Sequence, residues 1–390
     1  MKSGNPSSIV PAVGVTRGTV PPENARAGAD LPFRFSTLFD ILFFLVFLYL
    51  FLFSIDLLSA SFKLAGKGFA EQLIRMASNP VAGLLMGIVA TSVVQSSSST
   101  TSITVGLVAA GALDLRLAVP IVMGANIGTT VTNTIVSLGH AGRLREFEKA
   151  FAASTVHDFF NILAVLVLFP LEMAFHPIER AAVVLERYFE GVGGLQLMSP
   201  LKQVIGPAVH GATHLLPHTI PLAVVALVVL FLSLSRMVKI MRRTIVDRAE
   251  KFFNRVLFRN DLSGFLVGWI LTAVVQSSSV TTSLVVPLVG TGVLSIREIF
   301  TYTLGANLGT TITALLASFA TGNPLAVTVA ITHMVFNLMG IAVFYPARAL
   351  PIALALRLGR IAARSRGNLV LVFVVYILLH IIPLGYLFLR

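Results

Sequence analysis

The sequence predicts an all-α polytopic membrane protein made of two inverted-topology repeats, each with a re-entrant helical hairpin and an unwound transmembrane helix. The first observation behind this fold class is composition. Of the 390 residues, 56% are hydrophobic and 12% are charged, and the mean hydropathy is +0.88, which is typical of a chain with several membrane spans. The second observation is a duplicated polar motif, Gln-Ser-Ser-Ser, at residues 95–98 and 276–279.

The charge balance and the missing cysteines narrow the class of protein. The formal net charge is +12, but the basic residues fall mostly between apolar runs, as the positive-inside rule predicts. We therefore expect no nucleic-acid partner. The absence of cysteine excludes disulfides, thiolate metal sites and a cysteine nucleophile. With no Asn-x-Ser/Thr site either, the chain is expected in the cell (inner) membrane of a bacterium, as a multi-pass protein in the lipid bilayer.

Residues 1–35 are rich in Pro, Gly, Ser and Ala and are predicted to form a disordered tail. Repeat 1 follows as residues 36–170. It begins with a predicted span over residues 39–58 and an interfacial segment over residues 61–79, where basic residues alternate with apolar ones. The predicted hairpin occupies residues 80–113.

The hairpin is predicted because the Gln-led run of hydroxyls stands between two apolar segments without charged side chains. Each segment of about 14 residues would be roughly 21 Å long as a helix, too short for a hydrocarbon core of about 30 Å. Non-helical backbone at membrane depth must be enclosed by protein or by a water-filled cavity. The polar tip is therefore expected inside the protein, near the bilayer midplane.

The rest of repeat 1 holds two further motifs. Residues 124–130 read Gly-Ala-Asn-Ile-Gly-Thr-Thr, and two glycines around an asparagine predict an unwound or kinked helix. A third span, over residues 151–169, carries His157 and Asn161 one helical turn apart. Residues 171–218 are predicted to be a mixed linker.

Repeat 2 covers residues 219–347, with its hairpin at residues 262–294 and a second glycine-rich segment at residues 305–311. A basic segment and a C-terminal transmembrane helix make up residues 348–390. Equivalent residues are 181 positions apart in the hairpins and glycine-rich helices, and 176 apart in the His-x-x-x-Asn helices: Gln95 and Gln276, Gly124 and Gly305, His157 and His333.

The number of crossings predicts the relative orientation of the repeats. Each repeat has three spans besides its hairpin, so the second repeat enters the membrane from the opposite face. The basic segments then fall on one side of the membrane, at residues 139–149, 236–259 and 348–366. Inverted-topology repeats are typical of secondary transporters.

The polar residues of these segments suit an anion bound together with alkali cations. The hairpins and unwound helices offer amides and hydroxyls but no Lys, Arg, Asp or Glu. Helix N-termini favour an anion, whereas hydroxyl and carbonyl oxygens suit sodium. Because an anion in a low dielectric without a fixed cation is costly, co-bound cations would supply the missing charge.

The same residues admit other interpretations. A Ser/Thr-rich helix face is often only a packing surface, although two matched copies argue against this. His157 and His333 near serines resemble an intramembrane Ser/His hydrolase, but no Gly-x-Ser-x-Gly elbow is present. We expect both histidines to be structural hydrogen-bonding groups and the protein not to be an enzyme. Asp158 is an acid inside a span, which favours a functional role or, equally, helix pairing.

These motifs resemble the type II sodium–phosphate cotransporter family, here a bacterial member. The resemblance rests on both Gln-Ser-Ser-Ser motifs and on residues 124–134 and 155–161, and covers roughly residues 36–350. It implies a sodium-coupled secondary transporter that imports inorganic phosphate by alternating access. It places phosphate at the two tips, on Gln95, Ser96, Ser97, Ser98, Gln276, Ser277, Ser278 and Ser279. It places the co-transported sodium ions on Asn126, Thr129, Asn307, Thr310 and Thr313.

One departure from the family concerns charge coupling. Electrogenic relatives carry Ala-Gly-Asp after the first unwound helix, and that aspartate is associated with an additional sodium ion. The matching stretch here reads Ala141-Gly142-Arg143, and arginine stays protonated. This predicts electroneutral import with one sodium ion fewer, unless Arg143 is only a positive-inside residue. Another oxyanion, sulfate or a carboxylate, is the alternative substrate, and a homodimer is one candidate assembly.

Overall fold

The computed structural model describes residues 35–76, 79–129, 131–191, 194–241 and 260–388. The predicted disordered tail, up to residue 34, and most of the basic segment that follows residue 241 lie outside these ranges. The regular elements of the described residues are α-helices and one short 3-10 turn, Leu138–His140.

The α-helices are numbered in chain order. They are α1 (Phe35–Met76), α2 (Pro80–Val94), α3 (Ser97–Ala109), α4 (Leu115–Gly128), α5 (Val131–Ser137), α6 (Leu144–Phe175), α7 (Pro177–Gly191), α8 (Gly194–Leu215), α9 (Thr219–Met241), α10 (Asp261–Val275), α11 (Ser278–Gly290), α12 (Ile296–Thr321), α13 (Pro324–Phe344), α14 (Ala349–Ala362) and α15 (Arg366–Phe388).

Several of these helices are long and apolar enough to cross a membrane. Within the described residues there are six such stretches: Leu38–Leu64, Leu115–His140, Leu144–Phe175, Thr219–Met241, Ile296–Thr321 and Pro324–Phe344. They match the six spans predicted for the two repeats, and α15 forms a 23-residue helix where the C-terminal span was predicted. The regular structure of the described residues is therefore helical, and the protein is a multi-pass membrane protein.

Each Gln-Ser-Ser-Ser motif interrupts a pair of short helices, as the apolar lengths predicted. α2 ends at Gln95, which has a left-handed backbone conformation with φ 58°, and Ser96 is extended and caps α3. Gln276 and Ser277 repeat this geometry between α10 and α11, with φ 60° at the glutamine. A non-glycine residue with positive φ costs roughly 1–2 kcal/mol, so the surrounding packing must hold both breaks in place.

The predicted unwinding of the glycine-rich segments is wrong for the second repeat. α12 runs without a break through residues 305–311. In the first repeat, α4 ends at Gly128 and α5 begins at Val131, so the helix is interrupted only at the end of the motif. The glycines serve a different purpose, which is the close crossing of two helices.

Glycine pairs bring α2 against α4. A Cβ atom added at Gly124 would lie 2.0 Å from the carbonyl oxygen of Leu84, and one added at Gly87 would lie 2.0 Å from that of Ile121. Both distances are far below van der Waals contact. Any side chain at these positions would therefore push the two helices apart.

The second repeat contains the equivalent crossing of α10 and α12. A Cβ atom at Gly305 would lie 1.9 Å from the carbonyl oxygen of Phe265, and one at Gly268 would lie 2.1 Å from that of Tyr302. Each of the four positions is 181 residues from its counterpart in the first repeat. The two repeats thus share a packing device and not only a sequence motif.

Two further segments differ from the sequence expectation. α1 continues through the predicted interfacial segment to Met76 without a break. Residues 171–218, predicted as a linker, contain the end of α6 and the helices α7 and α8. α7 packs against α13, and α8 packs against α1.

Candidate functional site

The tips of the two helix pairs meet in the interior of the protein. The hydroxyl of Ser98 lies 3.5 Å from the backbone oxygen of Gln276, and that of Ser279 lies 3.3 Å from the backbone oxygen of Thr129. All four residues are buried. The structure therefore brings predicted phosphate residues of both repeats together, next to one predicted sodium residue.

The four residues that begin each tip have different local roles. Ser96 Oγ accepts the backbone N–H of Ser99 at 3.2 Å, so this serine caps α3. Ser277 Oγ accepts the N–H of Val280 at 3.4 Å and caps α11 in the same way. A capping oxygen already has a donor, which makes these two serines less suited to bind a ligand directly.

Ser97 and Ser278 are the first residues of α3 and α11, and both are buried. In the described part of the chain their hydroxyls make no side-chain hydrogen bond. The N–H groups of a first helical turn also have no partner within the helix. Each tip therefore offers hydroxyl and backbone donors, and residues 80–113 and 262–294 contain no Lys or Arg.

The two glutamines differ, although their backbones match. Gln95 Nε2 donates to the backbone oxygen of Ser92, and its Oε1 accepts a 2.7 Å hydrogen bond from the hydroxyl of Thr132. Gln276 Nε2 likewise donates to the backbone oxygen of its own helix, at Ala273. Its Oε1, however, is buried and has no hydrogen-bond partner among the described residues.

The difference between the repeats extends to the hydroxyl of Thr313. Thr313 is the residue equivalent to Thr132 at the offset of 181, and its buried hydroxyl also lacks a partner in the described ranges. A carbonyl oxygen and a hydroxyl that are hydrogen-bonded in repeat 1 are thus both unsatisfied in repeat 2. Unsatisfied buried polar atoms are rare and call for an explanation.

The predicted sodium residue Asn307 is bound by the opposite repeat. His157 donates from Nε2 to Asn307 Oδ1 at 2.5 Å, and Asn307 Nδ2 donates to Asn161 Oδ1 at 2.8 Å. Both partners lie on α6, the helix that carries the first His-x-x-x-Asn motif. Both ends of the Asn307 amide are therefore hydrogen-bonded to the opposite repeat, with one lone pair and one N–H remaining.

Asn126 has the reciprocal, looser arrangement. Its Oδ1 lies 3.4 Å from both His333 Nε2 and Asn337 Nδ2, on α13. As predicted, the two histidines are hydrogen-bonding groups, but they bind asparagines of the glycine-rich helices rather than the helix pairs. Their Nε2 atoms face asparagine oxygens, so the described contacts contain no Ser–His pair of the kind a hydrolase needs.

Two of the other predicted sodium residues, Thr129 and Thr310, donate to backbone oxygens one turn earlier in the chain. Thr129 Oγ1 lies 3.0 Å from the backbone oxygen of Ala125, and Thr310 Oγ1 lies 3.0 Å from that of Ala306. The lone pairs of both hydroxyl oxygens are still able to bind a cation. Thr129 follows the end of α4, Thr310 and Thr313 lie on α12, and all three side chains are buried.

Two contacts were missed by the sequence analysis. Asn133 binds hydroxyls of α11, and its sequence signal was its place in the stretch 124–134 on which the resemblance rests. Asp158 accepts a 2.9 Å hydrogen bond from the hydroxyl of Tyr376, on α15. This contact agrees with the helix-pairing alternative for Asp158. No local signal could have indicated a partner 218 residues away.

Arg143 does not belong to this buried cluster. Its side chain is 80% exposed and forms a 2.8 Å ion pair with Glu146 at the start of α6. Water and this partner therefore screen its charge.

One group of acids and histidine is compact enough for a metal ion in the described ranges: Glu172, His176 and Glu179. Both carboxylate oxygens of Glu172 accept backbone N–H groups at the start of α7, from Ile178 and Glu179. Glu172 thus acts as a cap for that helix, and the group lies outside the predicted site.

Comparison with known proteins identifies the family that this chain resembles. The sequence model described as Na+/Pi-cotransporter matches residues 50–197 and 229–359. Sodium-dependent phosphate transport protein 2A of Ovis aries is 35% identical, over 88% of this chain and 67% of its own length. Sodium-dependent phosphate transport protein 2B of Homo sapiens is 33% identical, over 88% of this chain and 64% of its own. The chain therefore spans about two thirds of the length of these relatives. No solved structure matches.

Proposed function

The chain belongs to the Na+/Pi-cotransporter family, and on this basis we propose that it is a secondary transporter that imports inorganic phosphate together with sodium. The observation that carries the proposal is the contact between the two Gln-Ser-Ser-Ser tips, where Ser98 of one repeat meets Gln276 of the other. The family is one of transporters and not of enzymes, and no catalytic residue is assigned.

We assign phosphate to the first turns of α3 and α11. Direct hydrogen bonds would come from Ser97, Ser98, Ser278 and Ser279, with the N–H groups of these turns. Ser96 and Ser277 would hold the turns as caps, and Gln95 and Gln276 would set the backbone break before each cap. All of these groups are neutral, so the site supplies donors without a counter-charge.

Sodium would supply that charge. Gln276 Oε1 and Thr313 Oγ1 are buried oxygens without a partner among the described residues, and carbonyl and hydroxyl oxygens are suitable ligands for a hard cation. Thr310 and Thr129 would add oxygens, while Asn126 and Asn307 would support the helices that carry them. Because a buried anion without a cation is costly, phosphate and sodium would stabilise each other's binding, which is the basis of coupled transport.

We propose inverted repeats, re-entrant hairpins and alternating access as the framework of transport. The matched glycine crossings and the reciprocal asparagine contacts between repeats support this arrangement. The bilayer would be the inner cell membrane. The homodimer stays a prediction, which light scattering of the detergent-solubilised protein would test.

The test of function is uptake of radiolabelled phosphate into proteoliposomes. We expect accumulation with an inward sodium gradient and little with a matched potassium gradient. Excess unlabelled sulfate or succinate should leave the uptake unchanged if phosphate is the substrate. Equal uptake in sodium and potassium would contradict the proposal, and strong competition by sulfate would favour the alternative oxyanion.

A further inference from the structure

Asn133, on α5 of the first repeat, binds the second helix pair. Its Nδ2 donates to Thr282 Oγ1 at 2.7 Å, and its Oδ1 accepts from Ser283 Oγ at 3.0 Å. Both hydroxyls belong to α11, and Asn133 and Thr282 are almost fully buried. One amide from one repeat thus uses its donor and its acceptor on a single helix of the other.

The two hydroxyls connect this amide to the tip of α11. Thr282 donates its hydroxyl hydrogen to the backbone oxygen of Ser278 at 2.6 Å. Ser283 shares its single hydrogen between Asn133 and the backbone oxygen of Ser279, which is 2.5 Å away. Ser278 and Ser279 belong to the proposed phosphate site. A single hydroxyl group, that of Thr282 or of Ser283, therefore links Asn133 to the first turn that would hold the anion.

The first helix pair lacks this support. At the offset of 181 residues, the position of Asn133 is occupied by Ala314, on α12, which packs against α3. The residues equivalent to Thr282 and Ser283 are Thr101 and Ser102. Both are completely buried, and neither hydroxyl has a hydrogen-bond partner in the described part of the chain. The hydroxyl pair is duplicated, but the amide that binds it is not.

We propose that Asn133 is a positioning residue for the phosphate site, which holds the first turn of α11 from the opposite repeat, whereas the equivalent position for α3 carries Ala314 and supplies no amide. The inference rests on the proposed function, because it assigns a role within that transport site. It makes the two halves of the site unequal. The α11 half is more strongly preorganised, because an amide of the opposite repeat binds its hydroxyl pair and no equivalent amide binds the pair of the α3 half.

The first experiment measures Asn133→Ala in two ways. Phosphate uptake should show a KM about three- to ten-fold higher, the expected effect of losing one neutral hydrogen-bonded group. Hydrogen exchange of the protein without phosphate should become faster in the first turn of α11 and stay unchanged in α3. Asn368→Ala is the matched control and should change neither quantity, because this amide, near the start of α15, donates to the backbone oxygen of Ile361 and accepts from the hydroxyl of Ser365, away from both tips.

The second experiment moves the amide to the other repeat. In the double variant Asn133→Ala/Ala314→Asn, hydrogen exchange should become slower than in the wild type in the first turn of α3 and faster in the first turn of α11. A double-mutant cycle between Asn133→Ala and Thr282→Val needs no added side chain in the core. If Thr282 acts on the site through its contact with Asn133, the combined variant should raise the KM no further than Asn133→Ala alone.

The outcomes separate the two proposals. Sodium-dependent uptake by the wild type with an unchanged KM in Asn133→Ala would overturn the positioning role alone. Faster exchange in α11 with the same KM would show a purely structural contact, which also overturns it. Absence of phosphate uptake by the wild type would contradict the proposed function, and the inference that rests on it.

Discussion

The hydroxyl of Thr132 donates a 2.7 Å hydrogen bond to Oε1 of Gln95. The equivalent atoms of the second repeat, on Thr313 and Gln276, both lack partners among the described residues. Two repeats with the same residues thus present different hydrogen-bonding states at the same position. The unsatisfied pair is the one we assign to sodium.

This difference predicts that two matched substitutions change different quantities, the sodium dependence of uptake in one case and the stability of the protein in the other. Thr313→Val removes a ligand oxygen, so the sodium concentration for half-maximal uptake should rise about three- to ten-fold. Its melting temperature should not fall, because no hydrogen bond is lost. Thr132→Val leaves Gln95 Oε1 without its donor and should cost about 0.5–1.5 kcal/mol of stability, because both residues are only partly buried. Sodium titrations of uptake and thermal unfolding in detergent measure both, and equal sodium dependence in the two variants would argue against the assignment.

The glutamines themselves give a second prediction. Gln276→Ala removes an oxygen from the proposed sodium site and alters the break that places the α11 tip. We expect it to lower uptake by about ten- to a hundred-fold at limiting sodium. Gln95→Ala should also reduce uptake, with a smaller change in sodium dependence, because Gln95 Oε1 is already hydrogen-bonded. Unchanged sodium-dependent uptake in both variants would contradict the placement of the transport site at the two tips.

The glycine crossings predict where the fold tolerates no side chain. Gly124→Ala and Gly305→Ala each place a Cβ atom about 2 Å from a carbonyl oxygen of the facing helix. Overpacking of this kind costs roughly 1–3 kcal/mol or more, so both variants should melt at lower temperature and reach the membrane in smaller amounts. Gly142→Ala is the control, since an added Cβ there meets nothing within 4 Å. If all three variants melt alike, the helices do not cross as closely as described.

The inverted topology predicts labelling from opposite sides of the membrane. The chain has no native cysteine, so a thiol at Gly142→Cys or near the start of α13 can be labelled alone. For the second position, Leu325 is preferable to its neighbour Asn323, because the side chain of Asn323 caps α13 whereas Leu325 is 55% exposed. A membrane-impermeant maleimide should reach one thiol in sealed right-side-out vesicles and the other only in inverted ones. Labelling of both from the same side would contradict the inverted repeat.

Charge coupling is a separate prediction. Position 143, where the resemblance places an aspartate, carries an arginine, so one carboxylate sodium ligand is missing. Because the Arg143 side chain is exposed and paired with Glu146, the missing carboxylate carries the argument and the arginine's own charge adds little. We expect no phosphate-induced current on solid-supported membranes, and a current in Arg143→Asp. A robust inward current in the wild type would rule out electroneutral import.

The sequence alone determined the features that depend on neighbouring residues. A glutamine followed by a capping serine, between two short apolar segments, is enough to predict a helix break and a new helix N-terminus, and both breaks are found. The register of 181 residues made the second copy predictable from the first. The spans followed from length and hydropathy. These features are local because caps and helix periods are set within a few residues of backbone.

Only the tertiary structure decided which polar atoms are satisfied and what the glycines are for. Gly124 looked like a point of unwinding, yet its role depends on the carbonyl oxygen of Leu84, on another helix. Asn133 and Ala314 occupy equivalent positions, and only the packing of α5 against α11 shows that one of them binds a hydroxyl pair. The physical reason is that a hydrogen bond or a close contact is decided by atoms within about 3 Å, and such atoms are supplied here by segments far apart in the chain.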